Sequence, residues 1–143
     1  MNEFQIITRQ EYDYCVSRGI EPLIDPRFPM DHSLRVLIQK EKFGEGHTPA
    51  ENERFYRFCW KIYPHHCEEC LKPLNEFSAT YVSHILSRGA HPEMAHDPRN
   101  INILCFDHHN RWEHATTRKD MRIYRSNVER VRKLKKEYET NQF

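Results

Sequence analysis

The sequence predicts an α+β fold, and three observations support that prediction. Apolar residues recur every three or four positions in residues 48–62 and 119–140, as they do in amphipathic helices. Between these regions lie two β-prone segments, residues 77–82 and 101–104. Cys and His pairs with metal-ligand spacing lie beside the β-prone segments, within residues 67–108. We therefore expect helices packed around a small β-containing core that a metal ion braces.

The composition limits the class of protein. The chain has 143 residues, of which 38% are hydrophobic, so we expect one domain with a thin core that benefits from a metal brace. The sequence has no apolar run of the length that crosses a membrane, and its first residues lack the apolar region of a signal peptide. We expect a cytoplasmic protein with no membrane partner, in which a Cys pair binds metal more often than it forms a disulfide.

The chain divides into three predicted regions. They are a helical N-terminal region at residues 1–64, a braced core at residues 65–117, and a basic amphipathic helix at residues 118–143 that packs on the core. In the first region, Thr8 can cap a helix that ends near Gly19.

Two further helices are predicted before the core. Residues 20–30 contain three prolines and predict a loop, and Asp31 can start a helix to about Phe43. The clearest start signal is Thr48-Pro-Ala-Glu51, a capping box with Pro at the first helical position. One apolar face of the helix that follows is predicted to join the core: Phe55, Phe58, Cys59 and Ile62. Cys15 is likewise predicted to be a small core residue.

The C-terminal region is basic, although the whole chain carries a net charge of only +1. Residues 117–143 hold nine Lys/Arg and four Asp/Glu. The apolar positions of the predicted helix are Met121, Tyr124, Val128, Val131, Leu134 and Tyr138. These residues predict packing on the core, and the outer basic face is either a solvated surface or a contact for DNA phosphates.

Two pairs of residues predict a closed zinc site. Cys67 and Cys70 are separated by two residues, and so are Cys105 and His108. Thiolate and imidazole ligands in this number complete a tetrahedral Zn²⁺ site. The alternatives are four unrelated residues or a redox-active Cys pair, but the βαβ pattern expected around a redox pair is absent. Eight of the ten histidines fall between residues 65 and 114, which also favours metal binding.

The order Cys-x-x-Cys, strand, His, loop, Asn, strand, Cys-x-x-His-His resembles that of the HNH, or ββα-metal, nuclease family. The resemblance covers residues 67–114, about a third of the chain. It implies a β-hairpin followed by a helix that together grip one divalent ion, and many family members brace this unit with a zinc site. It also implies that His84 is the general base, that Asn100 orients the base, and that His109 binds the catalytic ion.

A second ligand for the catalytic ion follows from helical spacing. Residues 107–116 predict a short helix, on which His109 and Glu113 share one face, whereas His114 points elsewhere. Many family members have His at the Glu113 position. A carboxylate there favours Mg²⁺ or Mn²⁺, with Ni²⁺ or Zn²⁺ as alternatives.

The sequence departs from the family pattern at Ser83, where many members place an Asp or His metal ligand directly before the base. Ser83 is a poor ligand. It acts through water, or a loop residue replaces it: Asp97, His91 or His96. Three arginines near the predicted site, Arg88, Arg99 and Arg111, can bind phosphates through their guanidinium groups. The zinc pairs end in His108, where Cys is common in the family.

These features predict a metal-dependent endonuclease that hydrolyses DNA phosphodiester bonds. The first alternative is a non-catalytic zinc module that binds nucleic acid or protein, which Ser83 favours. The second is a structural zinc fold with a partner-binding helix at residues 119–140. The sequence leaves open the base specificity, nicking or double-strand cleavage, the homodimeric state, the pathway and the role of residues 1–60.

Overall fold

The computed structural model describes Ile6 and residues 8–140. It is an α+β structure dominated by helices, with one two-stranded antiparallel sheet. In chain order the elements are α1 (Arg9–Ser17), α2 (His32–Phe43), α3 (Pro49–Ile62), β1 (Val82–His84), β2 (Ile101–Ile103), α4 (Phe106–Trp112), α5 (Ala115–Arg118) and α6 (Tyr124–Thr140). Within the described residues, no helix has both the length and the apolar character needed to cross a bilayer. The last three residues of the predicted C-terminal helical region lie outside the described part of the chain.

The predicted helix caps at Thr8 and Thr48 are confirmed, and both are capping boxes, although only the one at Thr48 was predicted as such. Thr8 and Glu11 exchange side-chain and backbone hydrogen bonds at the start of α1, and Thr48 and Glu51 do the same at the start of α3. These bonds satisfy backbone N–H groups that the first turn of a helix leaves unpaired. At the start of α2, Asp31 does not cap its own helix, and its carboxylate instead accepts a bond from the backbone N–H of Arg9 at 3.1 Å.

The sheet is shorter than the β-prone sequence predicts. Residues 79–81 form a 3₁₀ turn because the Ser78 hydroxyl accepts a hydrogen bond from the backbone N–H of Thr80 at 3.3 Å. Strand β1 therefore starts only at Val82. It pairs with β2 in a register that sets Ser83 opposite Asn102. Side chains paired in this way lie on the same face of the sheet.

The helices after β2 also differ from the prediction. The predicted helix at 107–116 ends at Trp112, whose indole N–H donates to the carbonyl of Ile85 at 3.1 Å, and α5 starts after a break. Helix α6 starts at Tyr124 rather than at residue 119. The predicted core residue Val128 is 45% exposed, whereas Asn127 is 1% exposed and donates to the side chain of Asn102 at 2.6 Å.

Two apolar cores hold the elements together. The larger core joins α3, the sheet, α4 and the segment leading into α6, and it contains Phe55, Cys59 and Trp112. The smaller core is formed by Met30 and residues of α2. The prediction for Cys59 is confirmed, but Cys15 is only half-buried and belongs to neither core.

A buried ion network connects the loop before β2 to α6. The Asp97 carboxylate accepts hydrogen bonds from the Arg99 guanidinium and from the Tyr138 hydroxyl, each at 2.8 Å. Arg99 also pairs with Glu137 at 2.7 Å. Burial disfavours the ionised form of Asp97, but the charge and hydrogen bonds of Arg99 outweigh it and lower the pKa of this carboxyl. The network fixes the loop that precedes Asn100.

Candidate metal cluster and catalytic cleft

The structure brings the two predicted pairs of ligands together. The ligand atoms of Cys67, Cys70, Cys105 and His108 all lie within 4.8 Å of one another. The Cys70 and Cys105 sulfurs are 3.9 Å apart, and Nδ1 of His108 lies 3.6 Å from the Cys67 sulfur. Zn–S bonds of about 2.3 Å in a tetrahedral site place two sulfurs roughly 3.8 Å apart. The cluster can therefore hold a structural metal such as zinc.

Local turns aim these ligands at one point. The backbone N–H of Leu71 donates to the carbonyl of Cys67 at 2.8 Å, and Leu71 adopts a left-handed conformation with φ of 65°. Cys105 is the residue before α4, and His108 lies on the first turn of that helix. The first pair is therefore held by a tight turn and the second by a helix start.

Two glutamates of the first turn attach the cluster to the rest of the fold. The Glu68 carboxylate accepts a hydrogen bond from the side chain of Asn102 at 2.9 Å. The Glu69 carboxylate accepts bonds from the backbone N–H groups of Arg122 at 2.8 Å and Ile123 at 3.0 Å, just before α6. The cluster is thus joined to both β2 and α6.

The surroundings of the cluster favour ionisation of Cys67 over that of Cys105. Burial opposes ionisation of Cys67, but backbone N–H groups from both halves of the cluster lower its pKa to about 7. Burial and the neighbouring thiols raise the pKa of Cys105. Metal ions bind thiolates rather than thiols, so this lowered pKa suits Cys67 to metal binding.

His84 lies at the end of β1, packed against the rings of Phe55 and Tyr56 on α3. Its Nε2 donates to the carbonyl of Ala95 at 2.8 Å, because a carbonyl can only accept. In the neutral ring this bond leaves Nδ1 as a proton acceptor, and Nδ1 makes no hydrogen bond to any described residue. This is the arrangement that a general base requires.

The pKa of His84 is lowered to about 4, and burial is the largest cause. Arg88 and His109 contribute to this lowering, and the hydrogen bond to Ala95 opposes it. The ring is therefore neutral at pH 7, and its Nδ1 carries no proton.

An open cleft of about 490 Å³ lies in front of His84. Its walls also include His47, Arg88 and Glu113. A smaller adjoining recess of about 170 Å³ shares His84 and Glu113 and extends to His91. The cleft combines a neutral imidazole, a guanidinium and a carboxylate.

The Asn100 side chain holds the backbone of Leu86, two residues after His84. Its side-chain oxygen accepts from the backbone N–H of Leu86 at 2.8 Å, and its side-chain nitrogen donates to the carbonyl of Leu86 at 2.9 Å. The same nitrogen lies 3.3 Å from the carbonyl of Met94. Asn100 does not touch the ring, so any effect on His84 acts through the backbone.

His109 and Glu113 meet on one side of α4. Nε2 of His109 lies 3.1 Å from a Glu113 carboxylate oxygen. Nδ1 of His109 is buried and has no hydrogen-bond partner among the described residues. One imidazole and one carboxylate are thus available next to the cleft for an ion that prefers nitrogen and oxygen ligands.

Ser83 does not reach this site, contrary to the prediction that it is a weak ligand. Successive residues of a strand face opposite sides, so Ser83 faces away from His84. It shares the face of Asn102, which contacts Glu68 and Asn127. The Ser83 hydroxyl is fully buried and unpaired within the described residues.

The three predicted substitutes for Ser83 have different positions. Asp97 is fully buried in the ion network, and His96 is 2% exposed with its Nε2 bonded to the side chain of Asn52 at 2.9 Å. His91 lines the small recess beside His84, where its Nδ1 lies 3.7 Å from Glu93. Of these three residues, only His91 borders the cleft.

The three predicted phosphate-binding arginines also lie in different surroundings. Arg88 is exposed on the cleft wall. Arg99 is engaged in the buried pairs with Asp97 and Glu137, which gives it a structural role in place of the predicted phosphate contact. Arg111 is exposed on α4 and belongs to neither part of the cleft.

Sequence reasoning did not identify His47 as a residue of the cleft. The segment Gly44-Glu-Gly-His is a linker between two predicted helices, and nothing in its local pattern shows that it folds back to His84.

Comparison of the chain with protein-family models, with curated proteins and with solved structures finds no match.

Proposed function

We propose that the protein is a metal-dependent endonuclease of the HNH type that hydrolyses DNA phosphodiester bonds. The observation that carries this proposal is the hydrogen bonding of the His84 ring and its position in the cleft. Its Nε2 is fixed on a backbone carbonyl, its Nδ1 has no partner among the described residues, and its ring lines a cleft with Arg88 and Glu113. A neutral, oriented imidazole beside a cation is suited to hydrolysis of a phosphodiester.

In the proposed reaction, Nδ1 of His84 accepts a proton from a water molecule as the water oxygen attacks phosphorus. A new P–O bond forms, the bond to the leaving sugar oxygen breaks, and that oxygen takes a proton from solvent. Arg88 holds a phosphoryl oxygen through its guanidinium. Asn100 keeps His84 in place through the backbone of Leu86.

The residues that would hold the catalytic ion are His109 and Glu113. Nε2 of His109 lies 3.1 Å from a Glu113 carboxylate oxygen, so one ion between them would contact both side chains. A nitrogen and a carboxylate oxygen suit Mg²⁺ or Mn²⁺. When bound, such an ion supplies charge stabilisation to the phosphoryl and leaving oxygens.

The second metal in the proposal is a structural Zn²⁺ held by Cys67, Cys70, Cys105 and His108. The measured separations between ligand atoms support this choice. The brace would set the start of α4, and with it His109, relative to the hairpin that carries His84.

A plasmid cleavage assay tests the proposed function. Supercoiled plasmid is incubated with the purified protein and Mg²⁺, Mn²⁺ or Ni²⁺. We expect nicked or linear product with the wild type and with His114→Ala, a matched control because His114 is exposed outside the cleft. His84→Ala should give no product. Equal cleavage by His84→Ala would refute the role of His84, and inactivity of the wild type with every ion would refute the nuclease.

One observation favours a second candidate function, a non-catalytic zinc module that binds nucleic acid. Ser83 faces away from the cleft, so of the three predicted ligand positions only His109 and Glu113 are available to a catalytic ion. This alternative predicts DNA binding that weakens with salt, zinc in the purified protein, and no cleavage with any divalent ion.

A further inference from the structure

The linker residue His47 has a backbone conformation that is uncommon for a residue with a side chain. Its φ is 53°, in the left-handed region. Residues other than glycine held in this region tend to be maintained by their surroundings and to cluster at functional sites. The surroundings of His47 therefore have to account for its conformation.

The two residues that fix His47 are both buried. The side chain of Asn52 donates to the carbonyl of His47 at 3.2 Å and accepts a hydrogen bond from His96 at 2.9 Å. The His96 ring also contacts the His47 ring, edge to face, with 4.4 Å between centroids. The backbone and the ring of His47 are thus positioned by one pair of buried side chains.

The chain on either side of His47 is also fixed. The Glu51 carboxylate accepts from the backbone N–H groups of Thr48 at 2.9 Å and Gly46 at 3.4 Å. At Gly44, φ is 95°, a backbone conformation that favours glycine. The linker follows a defined path that delivers His47 to the cleft.

The His47 ring is exposed and makes no hydrogen bond within the described part of the chain. It lines the same cleft as His84, Arg88 and Glu113. An imidazole N–H can donate to a phosphate oxygen in either charge state. Together, His47 and Arg88 give the cleft two phosphate donors that belong to different segments of the fold.

We propose that His47 contacts a phosphate of the DNA strand bound in the cleft and so helps to hold the substrate against His84. This inference rests on the proposed nuclease function and adds a substrate contact from outside the Cys67–His114 segment. The fixed backbone explains how an exposed linker residue can serve as a binding group, since little conformational freedom is lost when it meets the phosphate.

The test uses His47→Gly, because glycine keeps the backbone conformation and removes only the ring. Leu71→Gly is the matched control, since Leu71 has the same backbone conformation with φ of 65° and lies beside the metal cluster. Each change is made in the His84→Ala background, and binding of a labelled DNA duplex is measured by fluorescence anisotropy. The same changes in the wild type give KM and the melting temperature.

We expect His47→Gly to raise Kd and KM by about tenfold, as for a lost hydrogen bond to a charged group, with the melting temperature held or raised. Leu71→Gly should leave both constants unchanged. If the wild type cleaves DNA and His47→Gly binds equally well, this inference alone is refuted. A melting temperature that falls together with binding would assign His47 a structural role and also refute it. Failure of the wild type to bind or cleave DNA would remove the proposed function and this inference together.

Discussion

The candidate metal cluster and the cleft beside His84 are built from adjacent residues but differ in how their polar groups are satisfied. In the cluster, the four ligand atoms face one another within 4.8 Å. In the cleft, His84 is bonded to a backbone carbonyl, and its Nδ1 has no described partner. The cluster is suited to enclose an ion permanently, whereas the cleft leaves positions for water and substrate.

One pair of neighbouring residues shows how the two sites are kept apart. His108 and His109 follow each other on α4, and successive residues of a helix point about 100° apart. His108 therefore lies among the cysteines, and His109 lies beside Glu113. A single helix start serves both sites, so the metal cluster sets the position of the proposed catalytic ligands.

The largest expected effect comes from breaking the cluster. Cys105→Ser should lower the free energy of unfolding by more than about 5 kcal/mol, since structural zinc sites contribute on the order of 10 kcal/mol. Cys15→Ser, outside the cluster, is the control. Denaturant unfolding and elemental analysis provide the measurements, with one zinc per chain expected in the wild type. Metal-free wild-type protein with the same stability would contradict the brace.

The next largest effect is expected in the cleft, where a substitution should reduce DNA cleavage more than stability. His109→Ala should reduce cleavage by more than about 100-fold, because direct ligands matter more than the outer residues that support them. Its free energy of unfolding should fall far less than that of Cys105→Ser, since the ring is only partly buried and its contact with Glu113 is a partly exposed ion pair. Single-turnover cleavage and thermal unfolding are measured on the same preparation, with zinc content as the control. Unchanged cleavage would exclude His109 as a ligand.

Two buried amides, Asn100 just before β2 and Asn102 within it, allow the positioning role of Asn100 to be tested. Asn100→Ala leaves the backbone N–H and C=O of Leu86 unpaired and should cost about 2 kcal/mol of stability. Asn102→Ala should cost a similar amount through Glu68 and Asn127. Only Asn100→Ala should also lower kcat, measured well below both melting temperatures. Equal losses of kcat in the two variants would remove the positioning role of Asn100.

The smallest effect is expected at the cleft wall. Arg88→Ala should raise KM about fivefold and make the salt dependence of DNA binding less steep by about one phosphate contact, without changing stability. Lys40→Ala, which removes an exposed charge on α2, is the control. Binding isotherms at several salt concentrations measure both quantities, and identical slopes for Arg88→Ala and the wild type would argue against a phosphate contact.

Local patterns predicted the features that depend on neighbouring residues. The helix cap at Thr8 and the capping box at Thr48 were predicted because capping involves residues only three positions apart, and the two Cys/His pairs were predicted from their spacing. The start of β1 was predicted too early, since the β-prone sequence did not reveal that the Ser78 hydroxyl stabilises a turn.

Features that depend on distant contacts were not predictable in this way. The orientation of α6 is set by the amide pair between Asn127 and Asn102, which buries a polar residue and leaves Val128 exposed. Arg99 was predicted to bind phosphate because the sequence does not show that its guanidinium is shared between the neighbouring Asp97 and the distant Glu137, 38 residues away. His47 reaches the cleft through Asn52 and His96, a contact that spans 44 positions.

The buried network around Asp97 determines how much of the chain is needed for an autonomous unit. Its partner Tyr138 lies on α6, and the nearby Arg35 on α2 is fully buried. A fragment limited to residues 65–117 would keep Asp97 and Arg99 but lose Glu137 and Tyr138, and an incompletely paired buried charge is strongly destabilising. Residues 65–117 are therefore not an independent folding unit. Grafting them into another protein would require both flanking helical regions as well.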